Sequence, residues 1–369
     1  MSKDDIDSDS SSNNEAPATQ KDSPQLHLHP RQLLWRPVCA DLSQLPTYQY
    51  WGDHPKLFAL ISAGATPEDR LLNCTRWFIS TLYGSYSSRS TAAGMEKPYN
   101  PILGEQFFAQ WTGDEETGDT ILKAEQVSHH PPIMGFHLEN KKAGVILEGH
   151  CGQKSRFAMP AGIDVYQTGH AILTVPKFNE TYLITLPSLN IRGIVTGRPT
   201  VELAGSTYII SSAGQLATIE YSTKGYFSGE RNRYRATLKP VDSNTPYYTA
   251  QGVWSGVSYF TNGSSQGLEK KLFFDAKADM SAPLEVKPQS EMAPLESHRL
   301  WAVVTKAINE KDYRTASKEK SRIEEAQRVL ARARKEKGGT QAHALQIFTL
   351  VDEDADKTGK AFQKLRERS

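Results

Sequence analysis

Between residues 118 and 275 helical periodicity is nearly absent, and this constrains the fold more than any other feature of the chain. In its place come short β-branched and aromatic runs: TILKAEQV, AGVILEGH, HAILTVP, TYLITL, STYIISS, RYRATLKP, YYTAQGVWSG and KKLFFDA. Turns rich in Gly, Pro or Asn separate most of them. Such residues suit a pleated surface, and such turns reverse the chain. A succession this long predicts a large antiparallel meander, closed or nearly closed into a barrel. Side chains alone do not fill a barrel of that size, so an internal ligand cavity is expected.

The flanks read differently. A helix is signalled from Pro67 to Tyr83: Thr66 can cap it, Pro67 sits at its first position, and Glu68 and Asp69 favour its positive end. Leu71, Cys74, Thr75, Phe78, Ile79 and Leu82 recur at helical spacing, and Gly84 can end it. Helical texture returns from Pro294, with LESHRLWAVVTKAI as one helix and residues 313–337 as a second, long and highly charged one. Residues 1–24 are too polar to bury a core and are expected to be a disordered tail. Residues 25–46, with Leu33, Leu34 and Trp35, read either as an arm or lid or as a loop pinned by Trp35. The fold class expected is mainly β with flanking helices (α+β). Residues 47–105 form a helical N-terminal part, 106–285 the barrel and 286–369 a C-terminal helical subdomain.

Charge narrows the function classes. Among 369 residues, 43 Lys and Arg face 42 Asp and Glu, which argues against a generic nucleic-acid binder. The charge is uneven: the first 23 residues are acidic, whereas 306–338 is dense in Lys and Arg. Cys39, Cys74 and Cys151 are too few and too scattered for a disulfide framework, so a reducing cytosol is expected. The N-terminus is polar, without a secretory signal. The uncharged run Leu203 to Ile219 is interrupted by Gly, Ser and Thr and reads as strands. Any membrane role is therefore expected to be peripheral.

Several stretches carry candidate chemistry. GSSQG, residues 263–267, matches the pattern of a nucleophile elbow, but its surroundings are a polar hairpin tip, so Ser265 is not expected to be catalytic. KLFFDA resembles an acidic two-phenylalanine docking motif, yet two lysines precede it and it reads as a core strand. In EQVSHHPP, adjacent side chains of a strand point to opposite faces, so His129 and His130 converge only if the strand ends there. Pro131 biases His130 toward an extended conformation, and Pro132 continues a rigid exit. A metal site lacks a third ligand nearby, and a Ser-His pair lacks an acid partner and an oxyanion hole. Phosphate binding fits the imidazoles best, against the alternative of a turn packing on itself. EKPYNPILGE exposes Lys97 and Asn100 in a proline-punctuated turn. Lys320, Glu324 and Arg328 are spaced i, i+4, i+8 and form one helical stripe, which also fits a solvated salt-bridged face.

Taken together these segments resemble the oxysterol-binding protein-related family of lipid-transfer proteins. RWFISTLYGSYSSR, EKPYNPILGE, EQVSHHPP, EGHCGQKSRF, GRPTVELAGSTYII, KGYFSGERN, KLFFDA, APLES and KSRIEEAQR fall in the family's order, over roughly residues 45–335. No pleckstrin-homology or ankyrin region precedes them, so the resemblance is to short, single-domain members of the fungal type. It implies a near-complete antiparallel barrel around a lipid tunnel and a phosphatidylinositol 4-phosphate headgroup site at its mouth. His129 and His130 would hold the 4-phosphate, with Lys97, Asn100 and Arg328 around the headgroup. Lys320 and Glu324 would complete the site, Glu324 accepting an inositol hydroxyl and orienting Lys320 or Arg328. Tyr86 and Gln167 match the polar tunnel floor of sterol-carrying relatives, whereas Ser85 and Cys151 stand where larger amides are expected. No short amphipathic helix that could close the tunnel is visible in residues 1–24. The implied function is non-enzymatic exchange of phosphatidylinositol 4-phosphate for a sterol between membranes. The alternatives are a phosphoinositide sensor or a carrier of another lipid such as phosphatidylserine. Neither cofactor nor metal is implied. The expected protein is a cytoplasmic monomer, transiently on Golgi or endoplasmic reticulum membranes.

Overall fold

A computed structural model describes residues 49–87, 90–91, 94–95, 99–158, 162–193, 200–222, 230–264, 269–338 and 345–348. The tail at 1–24, the arm at 25–46, Lys97 and Ser265 lie outside the described residues.

The strand-forming runs do form strands. After a small hairpin of β1 (Ser90–Thr91) and β2 (Gly94–Met95) come β3 (Gln106–Trp111), β4 (Thr120–His129), β5 (Pro132–Asn140), β6 (Val145–Ala158) and β7 (Gly162–Val175). Then follow β8 (Glu180–Thr185), β9 (Ser188–Arg192), β10 (Thr200–Ala204), β11 (Ser206–Ser211) and β12 (Gln215–Ser222). The last are β13 (Arg233–Pro240), β14 (Tyr248–Val253), β15 (Val257–Asn262) and β16 (Lys271–Asp275). Strands β3 to β16 make one antiparallel, barrel-like sheet of 14 strands, and most neighbours in space are neighbours in sequence. β7 is long enough to serve two partners: its residues 170–175 pair with β8 and its residues 162–165 pair with β9.

The ladder does not close on itself, because β3 and β16 are its two edges. An uncovered edge leaves a row of unpaired backbone groups. Here the chain beyond β16 runs back along β3. Gln110 and Glu285 exchange backbone hydrogen bonds at 2.9 Å, and the Gln106 amide donates to the Leu295 carbonyl at 2.9 Å. KLFFDA lies in β16, with Phe273 and Phe274 buried, as a core strand requires. In sequence Ser265 falls between β15 and β16, which pair antiparallel, and it lies outside the described residues.

One face of the wall packs on helices. α1 (Pro55–Ala59) and a short 3-10 turn (Leu60–Ala63) lead to α2 (Pro67–Tyr86). Thr66 and Asp69 form a reciprocal capping box at its start. The helix runs past Gly84 instead of stopping there. Gly84 is a packing residue: a Cβ on it would lie 2.6 Å from the Asp53 carboxylate and from the Tyr50 ring. Leu71, Trp77, Phe78 and Leu82 of α2 share one buried cluster with Phe136, Leu147, Tyr182 and Ile219 of the strands. A buried ion pair fixes the helix to the sheet. Arg70 Nε donates to Glu180 Oε2 at 2.8 Å, a second guanidinium nitrogen reaches Oε1, and Tyr182 Oη donates to Oε2 at 2.6 Å.

The segment LESHRLWAVVTKAI is not one helix. It divides at Trp301 into α3 (Ser297–Leu300) and α4 (Ala302–Asn309), followed by α5 (Tyr313–Glu336). The cause is tertiary. The Trp301 indole donates to Glu105 Oε2 at 3.1 Å and stacks on Tyr99 at 4.8 Å between ring centroids. The same carboxylate accepts from Ser297 Oγ at 2.7 Å and from the Ile102 amide at 3.0 Å, and it is fully buried. Glu105 thus ties the turn before β3 to the C-terminal helices.

Two stability outcomes follow. Glu180→Ala leaves the Arg70 charge buried and unpaired, and denaturant titration is expected to show a loss of about 3–5 kcal/mol. Glu105→Ala orphans two buried donors, the Ile102 amide and the Trp301 indole, while Ser297 Oγ keeps the Gln106 carbonyl at 3.2 Å, and it is expected to cost on the order of 3 kcal/mol. Hydrogen exchange should then show α3 and α4 losing protection before the sheet does.

Candidate functional site

The rim of the sheet at the β4–β5 hairpin collects the sequence's candidate ligands. The register shifts between Gln126 and Ser128, which leaves Val127 as a bulge one residue before the motif's polar end. Bulges re-aim the side chains that follow them. His129 then pairs with Pro132 across a two-residue turn made of His130 and Pro131. The His130–Pro131 peptide bond is cis. The prolines therefore do not carry the chain away as an extended exit; they form the reversal and start the next strand. Because β4 ends at His129, the two rings converge, 4.6 Å apart and edge to face.

His129 is half-buried and His130 exposed. Burial, and then the neighbouring His130, holds the His129 imidazole below its ordinary pKa. A hydrogen bond to the Pro101 carbonyl and the charge of Glu324 pull partly the other way. Those two influences place the proline-punctuated turn and α5 beside the histidines. Asn100 is exposed in that turn, next to Pro101. On α5, Lys320 Nζ donates to Glu324 Oε1 at 2.6 Å. Arg328 instead donates to Glu325 Oε2 at 2.8 Å and stands 3.9 Å from Glu324. Of the two cations, Lys320 is the one that Glu324 orients.

A second buried carboxylate lies on the strand that delivers the histidines. Glu125 is fully buried and accepts the backbone amides of Gln346, Ile347 and Phe348 at 2.8, 2.9 and 3.1 Å. Gln106 Nε2 adds a bond to Gln346 Oε1 at 2.9 Å. Gly135, opposite Glu125 on β5, leaves room for this segment: a Cβ there would meet the Phe348 ring at 3.2 Å. The sequence reading missed Glu105 and Glu125, although each sits inside a segment it singled out. The signal was a Glu-Gln pair set between apolar runs, in ILGEQFF and ILKAEQV.

Away from the rim, a half-buried polar pair lies against the main core. Gln167 Nε2 donates to Tyr86 Oη at 2.7 Å and to the Pro187 carbonyl at 2.8 Å. Ser85 is half-buried beside Tyr86 at the end of α2. Cys151 is buried on β6 opposite Gly169, in the core cluster against which Tyr86 packs. Thr207 and Tyr221 join the group, with Tyr221 Oη donating to Thr207 Oγ1 at 3.1 Å. Tyr221 pairs across the ladder with Tyr234. Burial pushes the Tyr221 phenol above its ordinary range, and Tyr86 and Tyr234 add to that push. The sequence reading did not find Thr207, Tyr221 or Tyr234. Strand alternation carried the signal, since these residues continue the inward rows of Ile209, Ile219 and Ala236.

Among the described residues no group of three or more His, Cys, Asp or Glu could hold a metal ion. Among them too, no helix is long and apolar enough to cross a membrane. At this edge of the sheet the two imidazoles converge, the Pro101 carbonyl is bonded to His129, and Glu324, which holds Lys320, is within electrostatic reach.

Comparison with known proteins bears on family and fold. The profile of the oxysterol-binding protein family matches residues 38–367. Protein KES1 of Mycosarcoma maydis is 43% identical over 312 residues, which covers 83% of this chain and 80% of that protein. Protein kes1 of Schizosaccharomyces pombe is 44% identical over 302 residues, covering 81% and 77%. Among solved structures, the Osh1 ORD domain in complex with cholesterol superposes with a TM-score of 0.67 at 21% identity, covering 89% of this chain and 82% of that one. The Osh3 ORD of Saccharomyces cerevisiae in complex with PI(4)P gives 0.63 at 20% identity, covering 84% and 83%. These two likenesses are likenesses of fold. With the family profile spanning the barrel-like sheet, the histidine hairpin and α5, the chain belongs to the oxysterol-binding protein family.

Proposed function

We propose that the protein is a non-enzymatic lipid transfer protein that takes up phosphatidylinositol 4-phosphate at the rim and exchanges it for a sterol between membranes. The observation that carries this reading is the meeting of His129 and His130 with the Asn100–Pro101 turn and the Lys320–Glu324 pair. A phosphate monoester of roughly −2 charge suits several charge-assisted donors. His129 and His130 hold the phosphate. Asn100, Lys320 and Arg328 surround the headgroup, with Lys97 from the same turn. Glu324 orients Lys320 and accepts an inositol hydroxyl. The acyl or sterol body lies inside the barrel, where Tyr86 and Gln167 offer a polar end. Membrane contact is peripheral, on the cytoplasmic side of Golgi and endoplasmic reticulum membranes.

One observation favours a second reading. Cys151 is buried among apolar residues and Ser85 is short, so fewer amides stand ready for a sterol hydroxyl. In that reading the phosphoinositide is bound without sterol uptake, by a sensor or by a carrier of another lipid such as phosphatidylserine.

Liposome extraction tests both. Wild-type protein mixed with vesicles carrying phosphatidylinositol 4-phosphate, sterol or phosphatidylserine is expected to retain the phosphoinositide after the vesicles are pelleted. His129→Ala/His130→Ala loses two charge-assisted bonds and should retain it on the order of a hundredfold less. Sterol recovered in the same tubes selects the exchange reading, and its absence selects the second.

Protonation supplies a further outcome. The lowered pKa of His129 keeps its ring neutral near pH 7 in the free protein. A bound phosphate dianion raises that pKa, so binding takes up a proton. Affinity is then fully present below the free-state pKa and lost as pH rises through the bound-state value. Calorimetry with a soluble short-chain phosphatidylinositol 4-phosphate should show affinity falling up to about tenfold per pH unit above neutrality for each proton taken up. Heats in buffers of different ionisation enthalpy should report that uptake. His129→Gln should flatten the slope, while His130, Glu324 and Lys320 remain in place.

A further inference from the structure

α5 has two halves of different character. Its N-terminal half is packed: Ala316 and Ile323 are buried, against a small cluster that includes Ile102, Trp301, Val304 and Ala307. No residue after Ile323 in this helix is buried. The remaining turns extend for about 20 Å at the usual rise per residue. On that stretch Val329 is 54% exposed and Leu330 50% exposed. Ala326 and Ala333 fall between them around the helix, Ala326 exposed and Ala333 half-buried. Arg328, Arg332, Arg334, Lys335 and Lys337 surround this apolar sector, with Glu336 as the one acid among residues 328–337. The preceding acid, Glu325, is engaged by Arg328 at 2.8 Å and lies 4.0 Å from Arg332.

We infer that the C-terminal half of α5 is a docking surface for an anionic lipid bilayer. An apolar sector framed by cations on a helix of low overall hydrophobicity is the composition that lies in a membrane interface. The cations match the negative surface of an anionic leaflet, and Val329 and Leu330 enter the boundary below it. A protein partner with an acidic face would satisfy the charges. The bilayer is favoured because the same helix continues into Lys320, Glu324 and Arg328 beside the histidine rim. A helix whose C-terminal end lies on the leaflet brings the headgroup ligands nearer its middle to the depth of the lipid phosphates. This inference rests on the headgroup reading for its purpose, although not for its chemistry.

Flotation with phosphatidylcholine vesicles, with and without phosphatidylglycerol and free of phosphoinositide and sterol, tests it. Phosphatidylglycerol supplies charge without being a proposed cargo. The full chain is compared with Arg332→Glu/Lys335→Glu and with Val329→Ser/Leu330→Ser, and soluble short-chain phosphatidylinositol 4-phosphate binding is read for each. Wild type is expected to float with the anionic vesicles, less at high salt. The charge variant should lose an order of magnitude or more in vesicle binding and the apolar variant several-fold. Both should bind the soluble headgroup as wild type does. Variants that float like wild type overturn the docking surface, as does a wild type that ignores phosphatidylglycerol. Wild type that floats through α5 yet does not bind the soluble headgroup leaves the docking surface standing and removes the headgroup reading instead.

Discussion

The buried carboxylate of Glu105 holds together the parts from which the rim is made. It accepts from a strand-entry turn, from a helix hydroxyl and from an indole that interrupts what would otherwise be one helix. A charge at full burial is tolerated only when its lone pairs are met by donors. That requirement works in reverse as a specification of place. The turn with Asn100 and Pro101, the start of β3 and the α3–α4 junction must arrive together, because no arrangement with one of them missing satisfies the acid. α5 inherits its position from this junction through the packing of Ile323 and Ala316 against Trp301, Val304 and Ala307.

The rim itself is electrostatically understated. Burial opposes protonation of the His129 ring, and the neighbouring His130 ring, 4.6 Å away, adds to that opposition. The rim lysine is already committed to a carboxylate. A site of fixed, fully exposed cations would attract any anion and release it slowly. In the proposed reading, a ligand that brings its own negative charge draws a proton onto His129 and competes with Glu324 for Lys320.

Much of this was legible in the sequence. The β content could be read because residues 118–275 carry strand-forming runs with turn chemistry between them, and α2 because Thr66, Pro67 and Asp69 spell its start. The convergence of His129 and His130 followed from where β4 had to end. Two departures, at Gly84 and Trp301, share one cause, which is that tertiary contacts decided what local pattern left open. Gly84 looked like a helix stop and is instead the place where Asp53 and Tyr50 press against α2. Trp301 looked like part of a continuous apolar face and is held out of it by Glu105 and Tyr99. Arg328 lay on the predicted stripe with Glu324, yet Glu325 on the adjacent turn position offers the shorter bond.

The incomplete ladder has a mechanical meaning. The interior boundaries of the main ladder are laced by runs of backbone bonds, with register shifts at β4–β5 and β15–β16. The boundary at β3, by contrast, is laced around Gln110–Glu285 and Gln106–Leu295. A hoop fastened in this way is stiff around most of its circumference and compliant at one buckle. A change in girth is cheapest there, since widening elsewhere breaks several bonds at once. The buckle lies on β3, next to β4, so the strand that carries the histidines borders the most extensible part of the wall. The clasp of Glu125 on residues 346–348 spans the same neighbourhood, like a pin across the buckle.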